Sequence, residues 1–295
     1  MKHRSRILLG VAVVTGFVAP LGAFAFSGGS ATAAPPSTTP PALTCSGGDF
    51  STGTFVSIPS GTYSSIWVKG ACQPAQGAMI TVVGGVNLAP HAVFDAQSYP
   101  STITVGQDVT AGTGSLLGLG CLPDPQGHTT GHPCKDATGM PSETAGQSNI
   151  TVDGNITAWQ ANTVLLNGIT VKGNVTLIGS KGTANTNQRT TAIPWAIKNN
   201  TIGGNLTVSD ATPLWLGVLL NNVAGNVTLT NIQITDGLPP NNDTGPTIIV
   251  ALNTIRQNLA CSGLGPNLWA GFPGGGLPNE VNMVSGVASG QCAAP

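Results

Sequence analysis

The sequence predicts an all-β solenoid: a single-stranded parallel β-helix with coils of about 20 residues and loops of variable size. Three observations in the 295-residue chain lead there: a nine-residue phrase recurs, its basic spacing is close to 20 residues, and only 7 % of residues are charged. Internal repetition is weighed first because it sets the whole architecture.

The phrase is clearest at 150–158 (ITVDGNITA) and 169–177 (ITVKGNVTL). It returns with drift at 80–88, 103–111, 200–208, 221–229, 253–261 and 282–290. One interval, from 103 to 150, is 47 residues long and holds either a missed copy or a large insertion. Apolar residues take phrase positions 1, 3, 7 and 9, as in Ile150, Val152, Ile156 and Ala158, and Thr or Ser takes 2 and 8. Alternation on both sides of a bend reads as strand, corner, strand.

The corner is a Gly-Asn pair, as in Gly154-Asn155, Gly173-Asn174, Gly204-Asn205 and Gly225-Asn226. Both residue types reach positive φ cheaply. Apolar runs before several phrases (162–168, 194–199, 213–221, 246–253) supply a third strand per coil. Stacked coils pair each backbone with the next at ~4.8 Å, so eight of them make a rod roughly 40 Å long. Like residues stack on like, and Asn155, Asn174, Asn205, Asn226 and Asn258 are expected to form a ladder at one corner. One coil cannot bury its apolar face alone. The low charge fits, because a charge repeated at one position would face its own kind, whereas hydroxyls and amides hydrogen-bond along the stack.

Residues 1–33 read as a signal peptide: Lys2, Arg4 and Arg6, then an apolar stretch from Ile7 to Phe26, then small-residue cleavage candidates at 23–25 and 31–33. Without its three basic residues, seven Lys/Arg face eleven Asp/Glu, a formal charge of −4. That balance attracts no nucleic acid, and the membrane is met only through the signal peptide. Residues 34–44 (APPSTTPPALT) form a Pro/Thr-rich linker. Residues 45–292 form the β-helix domain, with 45–79 as an irregular first coil or two that cap one end.

Six cysteines in an exported chain imply disulfides. Fifteen connectivities are possible; the one expected pairs sequence neighbours, Cys45–Cys72, Cys121–Cys134 and Cys261–Cys292, each where the repeat is weakest. The 121–134 segment also holds His128 and His132. A Cys-His-His-Cys set can bind zinc, but this spacing matches no structural zinc pattern, so a disulfide-closed loop is expected and no metal or cofactor. The loops 179–191 and 235–245 both follow a phrase and should leave the rod along one edge.

Chemistry is sparse. Paired-acid glycoside hydrolysis needs two carboxyl groups ~5–9.5 Å apart. Phrase position 4 is acidic only at Asp153, Asp108 stands among Asn at position 6, and a loop-built pair would have to come from residues such as Asp210 and Asp236. Asp153 and Lys172 should be vertical neighbours in an exposed ion pair worth about 0.5 kcal/mol. His91 stands alone in a turn after Pro90. Among the tryptophans, Trp195 falls level with Leu216 and Ile248 and reads as core. Trp159 and Trp215 read as outward, and as ligand contacts if they share a flank. Asn-x-Thr/Ser triplets at Asn149, Asn155, Asn174, Asn199, Asn205 and Asn226 are by-products of the repeat; only Asn242 is not.

The opening CSGGDFSTGTFVSIPSGTYSSIWVKGAC, the GN[VIL]T units and the close NTIRQNLAC…PNEVNMVSGVASGQC resemble a group of uncharacterised secreted proteins of high-GC Gram-positive bacteria, over nearly all of 45–292. The last copy departs from that pattern by losing its Asn. The resemblance implies a right-handed parallel β-helix outside the cell and supplies no catalytic residues. The functional expectation is an exported, non-catalytic protein with a structural, adhesive or surface-binding role, its partner a cell-wall or extracellular polysaccharide or a surface protein. The alternative is a polysaccharide-binding or polysaccharide-degrading β-helix, favoured by fold analogy, by Trp215 and by the loops gathered on one edge.

Overall fold

The computed structural model describes residues 39–121, 148–180, 195–213, 215–234, 248–266, 268–271 and 281–293. These residues form three parallel sheets and no helix. The first sheet runs through ten strands, from Leu43–Cys45 to Ala288–Gly290. The second has nine, from Val56–Ile58 to Leu268–Ala270, and the third has nine, from Gly61–Tyr63 to Met283–Val284. Each coil visits the sheets in that order and pairs in register with the coil before and after it. This is a parallel β-helix, as the repeat predicts.

The phrase spans a third-sheet strand, a corner and a first-sheet strand. The apolar runs before it are second-sheet strands, for example Leu216–Leu219 and Ile248–Ala251. A further copy escapes the pattern at 61–68 because its corner is one residue shorter: Tyr63 pairs with Val82, yet Ile66 pairs with Val86. The first strand takes in Leu43 and Thr44, the end of the expected linker, because Leu43 pairs with Ile66. The 47-residue interval conceals no coil. Asn149 pairs directly with Thr102, and Ile156 with Val109, so the extra chain is an insertion between a second-sheet and a third-sheet strand. The loops expected at 179–191 and 235–245 fall between a first-sheet and a second-sheet strand in chain order, and nearly all of their residues lie outside the described ones.

Inward residues make one continuous core. Its columns run Val86, Val109, Ile156, Val175, Leu206, Val227, Leu259 in the first sheet and Val82, Val105, Val152, Val171, Ile202, Val223, Ile255 in the third. Each side chain is held between the same kind of side chain one coil above and below. Burying a residue of this size stabilises the fold by about 1.5–3 kcal/mol.

Two expectations about the corners need correction. Phrase position 1 is apolar only in the first half of the rod, where Ile80, Ile103, Ile150 and Ile169 are buried. In later coils the same position holds Asn200, Asn221, Asn253 and Asn282, equally buried. They form a second ladder: Asn221, for instance, donates from its backbone N and from Nδ2 to Asn253 Oδ1 at 3.0 and 2.9 Å. Its other Nδ2 hydrogen goes to the Ile197 carbonyl at 2.8 Å. Each amide is satisfied in full, so a polar column stands in the interior without the usual penalty.

The Gly-Asn corner, in turn, does not use positive φ: none of Gly154, Gly173, Gly204 or Gly225 adopts it. Glycine is required there for space. A Cβ on Gly173 would lie 2.6 Å from Asn155 Oδ1 and 2.6 Å from the Gly154 carbonyl oxygen. The left-handed backbone sits at the other two corners, in a column of Gln160, Gly179, Asp210, Asn231 and Gly263 and in another of Gly168, Asn199, Leu220 and Leu252.

Disulfides Cys45–Cys72 and Cys261–Cys292 clamp the first and last coils, as neighbour pairing expects. Cys121 is also disulfide-bonded, while Cys134, His128 and His132 lie outside the described residues.

Candidate functional site

The outer face of the first sheet is a regular surface that carries both hydroxyls and amides. Side chains alternate along each strand, so residues i, i+2 and i+4 of a coil form one outward row. Successive rows read Asn155–Thr157–Trp159, Asn174–Thr176–Ile178, Asn205–Thr207–Ser209 and Asn226–Thr228–Thr230, locked by the pairings of Thr157 with Thr176, Thr176 with Thr207, and Thr207 with Thr228.

The Asn column is the ladder predicted. Asn174 donates from N and Nδ2 to Asn155 Oδ1 at 2.9 and 3.1 Å, and Asn205, Asn226 and Asn258 each repeat this on the Asn one coil earlier. The ladder starts on a carboxylate, since Asn155 donates to Asp108 Oδ1 at 2.7 and 3.0 Å. It ends on Asn258 Oδ1, which accepts from the Val287 amide at 2.9 Å because the last copy has Val287 in place of the corner Asn. With the amides consumed by one another, the adjacent threonine hydroxyls carry the face's free hydrogen-bonding capacity. Those of Thr157, Thr176, Thr207 and Thr228 meet no protein partner among the described residues. Between the two columns runs a shallow trough of about 310 Å³, lined by Asn155, Thr157, Asn174, Thr176, Asn205 and Thr207.

Two tryptophans stand on this face. Trp159 is 54 % exposed at the end of the Asn155 row, as expected from its register. Trp67 is 51 % exposed three strands earlier, in line with Asn87, Thr110 and Thr157. Trp67 was not legible as a site residue because the 61–68 copy is itself disguised. Trp215 is not their neighbour. It precedes a second-sheet strand, is half-buried and lays its ring across Gly217. Trp195 lies level with Leu216, and Leu216 with Ile248, in the predicted register; its side chain is outside the described part.

Among the described residues the ionisable groups are spread out, and several are engaged locally. Lys172 Nζ sits 2.8 Å from Asp153 Oδ1, with both side chains well exposed, so the pair contributes about 0.5 kcal/mol or less. Asp210 accepts from Asn231 Nδ2 at 2.8 Å, and Asp236 lies outside the described residues. Hydrogen bonds from the hydroxyl and the amide of Ser51 hold the Asp49 carboxyl below its ordinary range. Among the described residues no three of His, Cys, Asp and Glu gather where they could hold a metal ion.

Fold and surface together define a class: a disulfide-clamped β-solenoid presenting a regular amide and hydroxyl face with two exposed indoles. No family model, curated protein or solved structure matches the chain.

Proposed function

We propose that this is an exported, non-catalytic β-helix protein that acts by binding at a surface outside the cell. One observation carries the reading. Its ten-stranded face offers a column of hydroxyls with no protein partner among the described residues and two exposed indoles, groups suited to holding a ligand rather than transforming one. Export is supported by the basic and apolar leader and by two disulfides between neighbouring coils, bonds that persist in oxidising compartments.

The test is to incubate the purified chain without its leader with isolated bacterial envelopes and with pectic, cell-wall and storage polysaccharides. Unsaturated products, new reducing ends and co-sedimentation are followed together. Co-sedimentation without turnover is expected. Turnover of any substrate overturns the non-catalytic reading, and absence of co-sedimentation with every surface overturns surface binding.

A further inference from the structure

We infer that the outer face of the first sheet binds an extended, uncharged polysaccharide running along the solenoid axis, with Trp159 as its stacking platform. This rests on the surface-binding reading above and names its ligand class and site.

Direction comes from the trough. It crosses the coils of Asn155, Asn174 and Asn205 at right angles to the strands, so it runs along the stack. A chain lying in it meets one hydroxyl per coil, at the ~4.8 Å strand repeat. That repeat is comparable with the length of one pyranose unit in an extended glycan, so successive sugars meet equivalent groups. Protein ladders of this kind are periodic by construction, and a periodic polymer is the ligand that can use every rung.

Chemical class comes from what lines the path. The rows 155–159, 174–178 and 205–209 present no charged side chain outward. An anionic polymer would find no cation in the trough to offset its desolvation. A protein partner would need an apolar centre, and this strip is mostly hydroxyl and amide. An uncharged glycan fits both its hydrogen-bonding and its one aromatic contact: sugar C–H faces stack on indole, while hydroxyls exchange bonds with Thr157, Thr176 and Thr207.

The indole is placed to serve. Trp159 pairs with half-buried Ile178 on one side. On the other side its column continues into Gly112 and Ala89, both small. The ring therefore stands at the margin of the trough with no bulky neighbour on that flank. Trp67 lies three strand spacings away, about 14 Å along the axis, and Lys69 Nζ sits 5.1 Å from its ring centroid.

The test is affinity electrophoresis of the leader-free chain through gels holding hydroxyethyl cellulose, a mixed-linkage glucan or polygalacturonate, with thermal unfolding to check each variant's fold. Retardation by a neutral glucan is expected. Trp159→Ala should weaken it about tenfold. Thr176→Lys, which puts a charged side chain in the trough without touching the core, should weaken it at least as much. Trp215→Ala, on another sheet, should leave it unchanged. Retardation only by polygalacturonate, no retardation by either neutral glucan, or retardation indifferent to both Trp159→Ala and Thr176→Lys would each overturn the inference. Surface binding would still be decided separately by envelope co-sedimentation.

Discussion

Asn221 donates forward along the rod to Asn253, at 3.0 and 2.9 Å, whereas Asn226, one corner later in the same coil, donates backward to Asn205, at 2.8 and 3.2 Å. The two amide ladders therefore run in opposite senses, and their side-chain dipoles offset one another rather than adding into an axial field. They also differ in burial, since Asn221 is 1 % exposed while Asn226 is half-exposed.

That difference sets the cost of breaking each ladder. Asn221→Ala strands the Ile197 carbonyl and removes the acceptor for the Asn200 amides, all in the interior. The expected loss is about 3 kcal/mol or more, at 1–3 kcal/mol for each of three buried groups left unpaired. Asn226→Ala exposes its orphaned partners to water, which replaces the bonds, and should cost about 1 kcal/mol. Urea midpoints for the two variants measure this ordering, and equal shifts would contradict it.

Glycine at the Gly-Asn corner should be intolerant for steric reasons. Gly173→Ala places a methyl 2.6 Å from Asn155 Oδ1 and 2.6 Å from the Gly154 carbonyl oxygen. The neighbouring coil must move, at about 1–3 kcal/mol. Gly77 is the control: its φ is +71° and nothing lies within 4 Å of an added Cβ, so Gly77→Ala carries only the left-handed cost of about 1 kcal/mol. Ladder disruption also separates them. Amide exchange at Asn174 should quicken in Gly173→Ala and stay as it was in Gly77→Ala.

Much of this was legible because the solenoid writes its geometry into the sequence once per coil. The Asn155-to-Asn258 ladder and the inward columns follow from spacing, whereas the terminal disulfides came from pairing sequence neighbours, one of fifteen possible connectivities. The buried ladder was masked by its own context. Asn200, Asn221, Asn253 and Asn282 occupy a position that Ile80, Ile103, Ile150 and Ile169 mark as apolar, and nothing local to an Asn states that it is buried. The cue was the column's switch from Ile to Asn halfway along. Trp159's exposure followed from its register, but its partnership with Trp67 required knowing that 61–68 is a coil with a shortened corner. Trp215 could not be set on the right face by alternation, because it stands just before its strand rather than in it.

Leu220 is a strained corner that can be relieved. Its φ is 57°, in the left-handed region, where a branched side chain costs roughly 1–2 kcal/mol. The equivalent residue one coil earlier is Asn199, also at φ 57°, and Asn tolerates this conformation far better. Leu220→Asn is expected to raise the unfolding midpoint by an amount equivalent to about 0.5–1 kcal/mol. Leu220→Gly should gain less, because glycine frees the unfolded chain as well. A fall in stability for Leu220→Asn would mean that the half-buried leucine side chain contributes more by packing than its backbone loses.

The Cys261–Cys292 bond ties the strand Leu259–Gly265 to the turn just past the last first-sheet strand, across a separation of 31 residues. Among the described residues the last coil stacks on another coil through one face, and its ladder ends on a backbone amide instead of an Asn, so the clamp matters most there. On the chain-entropy account, closing a loop of this length contributes about 3–4 kcal/mol. In a solenoid, though, each coil answers mainly to its neighbours. Replacing both cysteines with Ala should therefore act locally rather than melt the rod. Hydrogen exchange should accelerate at Met283, Ser285 and Val287, whose amides bond to Asn253, Ile255 and the Asn258 side chain. Protection at Val152 and Val171, in the middle of the rod, should hold. Equal loss of protection in both places would show that the solenoid unfolds as one cooperative unit and that the terminal disulfide stabilises all of it.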